Sequence, residues 1–174
     1  MTAALEPIDP RTGEPRRRWA VRLSATAFFL AAGATTVSIF WVYWDAVHRF
    51  AEASWLMGQF ATEPGSLGRV MLAIAVTVVA IVVAGVTSVV GYYAYCGYPW
   101  TRVGGLVAVA VSCLALLLNP AAWAAPPLAA VGAGLLWLPS VSRFFASWQA
   151  LRHPEPVYAP PVANVQYGPL PRFR

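Results

Sequence analysis

The stretch "WDAVHRFAE" brings together the acidic, basic and imidazole side chains from which a catalytic or metal site can be built. If a helix runs through it, Asp45 lies one turn from His48, and His48 lies one turn from Glu52, because residues three or four apart share a helix face. A metal site or an acid–base pair is one interpretation of this spacing. The same pattern is more often a row of solvated ion pairs, and we favour that interpretation.

The other residues that bind metals or carry redox chemistry are few and scattered. The chain contains only two histidines, His48 and His153, and only two cysteines, Cys96 and Cys113. It has no CxxC motif, no Cys/His cluster, no phosphate-binding loop and no dinucleotide fingerprint. We therefore expect no catalytic residue, no metal site and no cofactor bound by this chain alone.

Aromatic side chains form the third chemically interesting group, in the stretch "GYYAYCGYPW". Such a cluster can relay electrons or contact a quinone, but amphipathic rings also collect where a helix leaves a bilayer. The second explanation accounts for most of the rings. We retain them as a candidate site for contact with a partner or a quinone: Tyr92, Tyr93, Tyr95, Tyr98 and Trp100.

The elements that carry these groups are predicted to be membrane helices. Of the 174 residues, 59% are hydrophobic and 11% are charged, and the apolar residues occur in long charge-free runs. Because the backbone must satisfy its own hydrogen bonds in lipid, such runs indicate helices. The predicted fold is an all-α integral membrane protein with four transmembrane helices. These spans cover residues 23–44, 70–95, 103–118 and 126–142 within a membrane domain of residues 23–142, with an outer loop at residues 45–69.

The arginines predict the orientation of the spans. Ten of the twelve basic residues fall on one side of this arrangement, and only Arg49 and Arg69 fall on the other. The positive-inside rule places both termini in the cytoplasm of a bacterium, with the chain in the plasma membrane as a multi-pass protein. Residues 1–22 and 154–174 are then cytoplasmic tails, the second extended and proline-rich, and residues 143–153 an amphipathic helix at the membrane surface.

The arginine cluster in front of the first span also predicts a lipid contact. Basic side chains at this depth attract anionic headgroups such as those of cardiolipin. The candidate headgroup residues are Arg16, Arg17, Arg18 and Arg22. Because these arginines lie beside an apolar run and not along a stripe on a soluble domain, we expect no nucleic acid partner.

The predicted spans contain no Asp, Glu, Lys, Arg or His, the residues that mark ion paths and substrate sites within a membrane. We therefore expect a non-catalytic accessory subunit of a multi-subunit membrane complex, whose tails hold neighbouring subunits together. Two alternatives are a homo-oligomeric transporter or channel lined by the Ser and Thr residues of the first span, and a membrane-bound lipid-modifying enzyme that uses Asp45, His48 and Glu52.

Three features together suggest a family. The basic residues are all arginine, which indicates a GC-rich genome such as that of an actinobacterium; four spans are predicted; and the tail includes "PEPVYAPPVANVQYGPLP". In this general plan the chain resembles the small accessory and association subunits of actinobacterial respiratory supercomplexes, the cytochrome bcc and aa3 assemblies. The resemblance implies that haem, copper and quinone are bound by neighbouring subunits.

Overall fold

The computed structural model describes residues 7–154. The predicted tail at residues 154–174 lies outside the described residues except for Pro154. Between residues 7 and 154 every named element is a helix, which confirms the all-α prediction, and the one β-bridge joins Ile8 to Pro15. The α-helices are α1 (Trp19–His48), α2 (Trp55–Gly58), α3 (Leu67–Tyr95), α4 (Thr101–Ser112), α5 (Ala125–Leu135) and α6 (Pro139–Arg152). Three 3-10 segments complete the fold: Phe50–Glu52, Cys113–Leu117 and Ala122–Ala124.

Two of these helices are long and apolar enough to cross a membrane. They are α1, with 30 residues, and α3, with 29, and they contain the first two predicted spans. At 1.5 Å per residue each is about 45 Å long, which exceeds the hydrocarbon core of roughly 30 Å. A third span is reached only if α5 and α6 are counted as one bent helix. The chain is thus a candidate multi-pass membrane protein with two or three spanning helices.

In the structure, neither of the last two predicted spans is a single full-length helix. The third, predicted at residues 103–118, is the shorter apolar helix Thr101–Leu117, whose last five residues are 3-10. The fourth, predicted at residues 126–142, breaks after Leu135, and α6 leaves at an angle of 68°. Pro139 explains the break, because proline lacks an N–H and pushes the preceding residue, here Leu138 with ψ 140°, into an extended conformation.

The long helix α1 lies at the centre of an antiparallel bundle. It packs against α3 on one side and α5 on another, and α4 lies between α3 and α5. We call the end of the bundle that holds the start of α1, the end of α3 and α6 the arginine end. The opposite end, where α1 finishes and α3 starts, is the loop end. Each half of the bundle has its own hydrophobic cluster, built mainly from alanine and valine.

Phe28 fixes the spacing of the three helices in the half nearest the arginine end. Its side chain is fully buried and faces a glycine on each neighbouring helix, Gly91 of α3 and Gly132 of α5. A β-carbon at Gly132 would lie 3.0 Å from the Phe28 ring, and one at Gly91 would lie 3.0 Å from the Phe28 β-carbon. The close approach also lets the Ser24 hydroxyl donate a 2.8 Å hydrogen bond to the Gly132 carbonyl.

A buried polar pair holds the loop end together. The Ser38 hydroxyl donates to the Asn119 side-chain oxygen at 2.7 Å, and the Asn119 amide donates back to the Ser38 carbonyl at 3.3 Å. Asn119 also accepts from the backbone N–H of Ala122, and so caps the turn that leads into α5. The loop after α1 is joined to the same turn, because the Trp55 N–H donates to the Leu118 carbonyl at 2.7 Å.

Replacing Gly132 with valine should destabilise the bundle, because the new side chain would overlap the Phe28 ring and the Ser24 carbonyl. Overpacking of this kind costs about 1–3 kcal/mol. Thermal unfolding of the purified protein in detergent measures the effect. The matched control is Gly134→Val in the same helix, where a β-carbon meets nothing within 4 Å. Equal melting temperatures for the two variants would contradict the proposed seating of Phe28.

Candidate functional site

The stretch "WDAVHRFAE" does not form one site in the structure. Helix α1 ends at His48, so the helical spacing between His48 and Glu52 is lost. The Asp45 carboxylate accepts a 2.7 Å bond from the Trp41 indole, and a His48 ring nitrogen lies 3.1 Å from the Trp44 carbonyl. Glu52 pairs with Arg49 at 3.1 Å, and both side chains are more than 60% exposed.

Of the predicted row of ion pairs, the structure contains the exposed pair between Arg49 and Glu52. Across residues 7–154 no group of three His, Cys, Asp or Glu side chains lies close enough to hold an ion. A small cavity of about 300 Å³ is lined by Asp45 and Glu52 together with Asn119, but the Asn119 oxygen already accepts from Ser38 and Ala122. The arrangement supplies carboxylates without the convergent ligands that catalysis or metal binding requires.

The predicted tyrosine cluster forms a contiguous group of rings at the arginine end. Tyr93 is its centre, with Tyr92 and Tyr98 edge-on at 5.5 and 5.2 Å and Trp100 tilted at 5.4 Å. These separations are within the range in which aromatic rings attract one another. Tyr95 lies apart from this group and stacks under the Arg17 guanidinium at 4.5 Å. The structure thus brings together four of the five predicted rings.

Arginine side chains of α4 and α6 occupy the faces of aromatic rings at this end. The Arg152 guanidinium lies 3.9 Å above the Tyr98 ring and donates to the carbonyls of Cys96 and Gly97, which terminate α3. Arg102 lies 5.4 Å above the Phe145 ring and donates to the Ser142 hydroxyl. Cation–π contacts are stronger when they are partly removed from water. These two arginines therefore fasten α6 to the turn between α3 and α4.

Gly97 makes that attachment sterically possible. Its φ is +78°, a left-handed conformation that glycine adopts without strain, and the Trp148 ring of α6 packs directly against it. A β-carbon at Gly97 would lie 2.2 Å from the nearest Trp148 ring atom. Sequence reasoning missed this contact, although a glycine between the end of one helix and the start of the next is a common helix-terminating signal.

An apolar groove runs along the outer surface between α3 and α4 and has a volume of about 690 Å³. It follows α3 for about three turns, and Trp100 lies at the end next to the tyrosine group. Valine predominates in its lining, which contains no charged residue: Ile81, Val82, Gly85, Val86, Val89, Val90, Trp100, Val103, Gly104 and Val107.

Three of the four predicted headgroup arginines line one polar cavity of about 240 Å³ at the start of α1. They are Arg16, Arg17 and Arg22, and the predicted fourth residue, Arg18, immediately precedes α1 and does not line this cavity. The remaining lining comes from the short N-terminal turn, namely Asp9, Thr12, Glu14 and Pro15. The sequence indicated the basic cluster but gave no sign that the preceding segment would fold back over it.

The interior of the bundle contains polar side chains, and each of them has a partner. Among residues 7–154, nine polar residues are buried and none of them is charged. All nine make hydrogen bonds within the chain: Ser24, Thr35, Ser38, Ser54, Thr87, Thr101, Ser112, Asn119 and Ser147. Four of the eight hydroxyls bond to a carbonyl one turn earlier in their own helix, namely those of Thr35, Thr87, Ser112 and Ser147.

No known protein family, curated protein or solved structure matches the sequence.

The substitution Gly97→Ala should release α6 from the turn between α3 and α4. The new methyl group would collide with Trp148 and would also strain a left-handed backbone. We expect faster hydrogen exchange at the α6 amides, measured by mass spectrometry. Gly65→Ala is the matched control, since its φ is also +78° but a β-carbon there meets no atom within 4 Å. Similar exchange at α6 in both variants would show that Trp148 does not depend on Gly97.

Proposed function

We propose that this chain is a non-catalytic accessory subunit of a multi-subunit membrane complex. The observation that carries the proposal is the interior of the bundle, where each of the nine polar residues that are buried between residues 7 and 154 is hydrogen-bonded within the chain. A transport or catalytic site in a membrane needs polar or ionisable groups that are free to bind a substrate. Unpartnered buried polar atoms among these residues are confined to the loop after α2 and to the arginine end.

The proposal includes four apolar segments with both termini in the cytoplasm. In it, α1 and α3 span the bilayer fully, and the shorter hairpin of residues 101–135 either spans or re-enters, which returns the chain to the same side in both cases. The arginine distribution supports this orientation, because the arginine end holds the N-terminal cluster and the arginines of α4 and α6. Helix α6, bent by 68° from α5, then lies along the cytoplasmic surface.

The groove between α3 and α4 is the surface that we assign to a helix of a neighbouring subunit. A β-carbon at Gly85 would meet nothing within 4 Å, so the floor of the groove is open to a partner. Small residues at such a position let a second helix approach closely, which is the main source of helix–helix attraction in lipid. The tyrosine group at the end of the groove adds polar hydroxyls at the membrane surface.

The resemblance to accessory subunits of actinobacterial respiratory supercomplexes suggests which complex this is. In that setting haem, copper and quinone belong to the neighbouring chains, and this chain contributes packing and lipid contacts. The predicted tail at residues 154–174 would extend across those neighbours at the cytoplasmic surface. Purification of the tagged chain from native membranes in mild detergent should therefore bring down other membrane subunits, with haem absorbance if the complex is respiratory.

Filling the groove should detach the chain from its partners. Val89→Trp places an indole where the neighbouring helix would pack, and we expect at least about a tenfold loss of co-purifying subunits, equivalent to about 1.4 kcal/mol. Quantitative mass spectrometry of the purified material measures this. The control is Val131→Trp on α5, outside the groove, because Val131 and Val89 are similarly exposed, at 54% and 49%.

Isolation of the wild-type chain from native membranes as a homo-oligomer without other subunits would contradict the accessory role. An unchanged set of partners in the Val89→Trp variant, with a normal melting temperature, would contradict the assignment of the groove to a neighbouring helix. The first result would favour the transporter or channel alternative, although Ser24, Thr35 and Ser38 of α1 point inward and are hydrogen-bonded within this chain.

The enzyme alternative predicts that Asp45, His48 and Glu52 cooperate. Because these side chains are bonded to separate neighbours, we expect the double substitution His48→Ala with Glu52→Ala to leave growth and the membrane lipid profile unchanged. Lipid extraction and mass spectrometry of the mutant strain test this. Loss of a lipid species that returns when the wild-type gene is restored would support the enzyme and reject the accessory role as the whole function.

A further inference from the structure

We propose that the polar cavity at the start of α1 binds the phosphodiester of an anionic phospholipid. Its lining holds the guanidinium groups of Arg16, Arg17 and Arg22 and the carboxylates of Asp9 and Glu14, which leaves one positive charge uncompensated. A phospholipid phosphodiester carries one negative charge and so matches this excess. The inference does not depend on the accessory role, and requires only that α1 begins at the membrane surface.

The two carboxylates in the lining are already occupied. Glu14 forms an ion pair with Arg17 at 2.7 Å, and an Asp9 carboxylate oxygen accepts from the backbone N–H of Arg11 at 2.9 Å. The guanidinium groups of Arg16 and Arg22 make no hydrogen bond or ion pair with any residue between 7 and 154. Arg17 also keeps a buried, unpartnered Nε–H. Donors for a phosphate are therefore present and not consumed.

The cavity is built by a turn that the backbone holds in place. The Asp9 N–H donates to the Glu14 carbonyl at 2.9 Å, and the Arg16 N–H donates to the Pro7 carbonyl at 3.1 Å, so the segment from Pro7 to Arg16 forms a closed turn in front of α1. Gly13 supports the turn with a φ of +68°. Because the walls of the cavity are already fixed, the chain loses less conformational entropy when a ligand binds.

The start of α1 adds a second attraction for an anion. No side chain caps its first turn, and that turn contains no acidic residue, so the positive end of the helix dipole is not compensated there. The volume of about 240 Å³ equals that of roughly eight water molecules in the liquid, which is ample for a phosphate group.

Exposed apolar residues next to the cavity favour a lipid over a soluble phosphate. Trp19 and Leu23, on the first turns of α1, are 69% and 47% exposed. They lie beside Arg22 on a helix that is apolar enough to cross a membrane, so the acyl chains of a bound lipid would cover them. A free phosphate would use the arginines and leave this apolar surface uncovered.

Native mass spectrometry of the delipidated, full-length protein tests the proposal. With dioleoyl phosphatidylglycerol and dioleoyl phosphatidylcholine at equal concentration, the wild type should bind the anionic lipid at least about tenfold more, which is within the factor of about thirty that two arginines near an anionic lipid can supply. The double variant Arg16→Gln with Arg22→Gln should reduce that preference to about twofold. The control, Arg11→Gln with Arg143→Gln, removes the same charge from positions outside the cavity and should keep the tenfold preference.

Three results would overturn the proposal. The first is an unchanged lipid preference in the Arg16/Arg22 variant, and the second is an equal loss in the control, which would indicate diffuse attraction by net charge. The third is displacement of the phospholipid by millimolar inorganic phosphate, which would make the cavity a site for a soluble anion. Arg16 and Arg22 are both exposed, so the double variant should fold. Arg22→Lys serves as a second variant, because it keeps the positive charge but loses the planar guanidinium group.

Discussion

Close contact between Phe28 and two glycines determines how the helices of this bundle are arranged. In lipid there is no gain from burying apolar surface against apolar surface, so helices associate through tight packing and hydrogen bonds. The absence of a β-carbon lets α3 approach the Phe28 β-carbon at Gly91 and lets α5 approach the Phe28 ring at Gly132. The hydrogen bond from Ser24 to the Gly132 carbonyl depends on that approach, because its donor lies one helical turn before Phe28.

The absence of water in lipid also explains why polar groups at the two ends of the bundle are hydrogen-bonded within the chain. At the loop end, the Ser38–Asn119 pair satisfies a buried side-chain amide and the Ala122 N–H of the next turn. At the arginine end, Arg152 donates to the carbonyls of Cys96 and Gly97, just after α3, while its guanidinium face covers Tyr98. Unpaired backbone groups cost several kcal/mol in hydrocarbon, so both devices stabilise the bundle. Together with the bonds within each helix, they leave all nine buried polar residues between positions 7 and 154 hydrogen-bonded.

Periodicity and charge in the sequence predicted the parts of this fold that depend on local composition. The charge-free runs located α1 and α3. The structure does not contain the third and fourth predicted spans as single full-length helices. Hydropathy alone does not predict the 3-10 segment at Cys113–Leu117 or the loss of helix before Pro139. The number of spans and the orientation therefore remain predictions.

Contacts between distant parts of the chain could not be predicted from the sequence, for a physical reason. The 68° bend between α5 and α6 brings Trp148 to Gly97 and Arg152 to Tyr98. A proline in the sequence predicts that a helix breaks, but it does not predict the direction in which the chain continues. The aromatic residues at the end of α3 were correctly grouped by position. Their separation into the Tyr93 group and the isolated Tyr95 required knowledge of which face meets α1.

The arginines show why a count of charges is a poor guide to a binding site. In the sequence, ten of the twelve were interpreted through topology, as residues that keep one end of the bundle at the cytoplasmic surface. Arg102 and Arg152 are used within the fold, against aromatic faces and neighbouring hydroxyl or carbonyl groups, whereas Arg16 and Arg22 face a cavity and keep their donors. Both sets contribute equally to a positive-inside bias, since that bias depends on charge and position alone. Arg16 and Arg22 keep their hydrogen-bond donors, which is why the proposed phospholipid site lies at the start of α1.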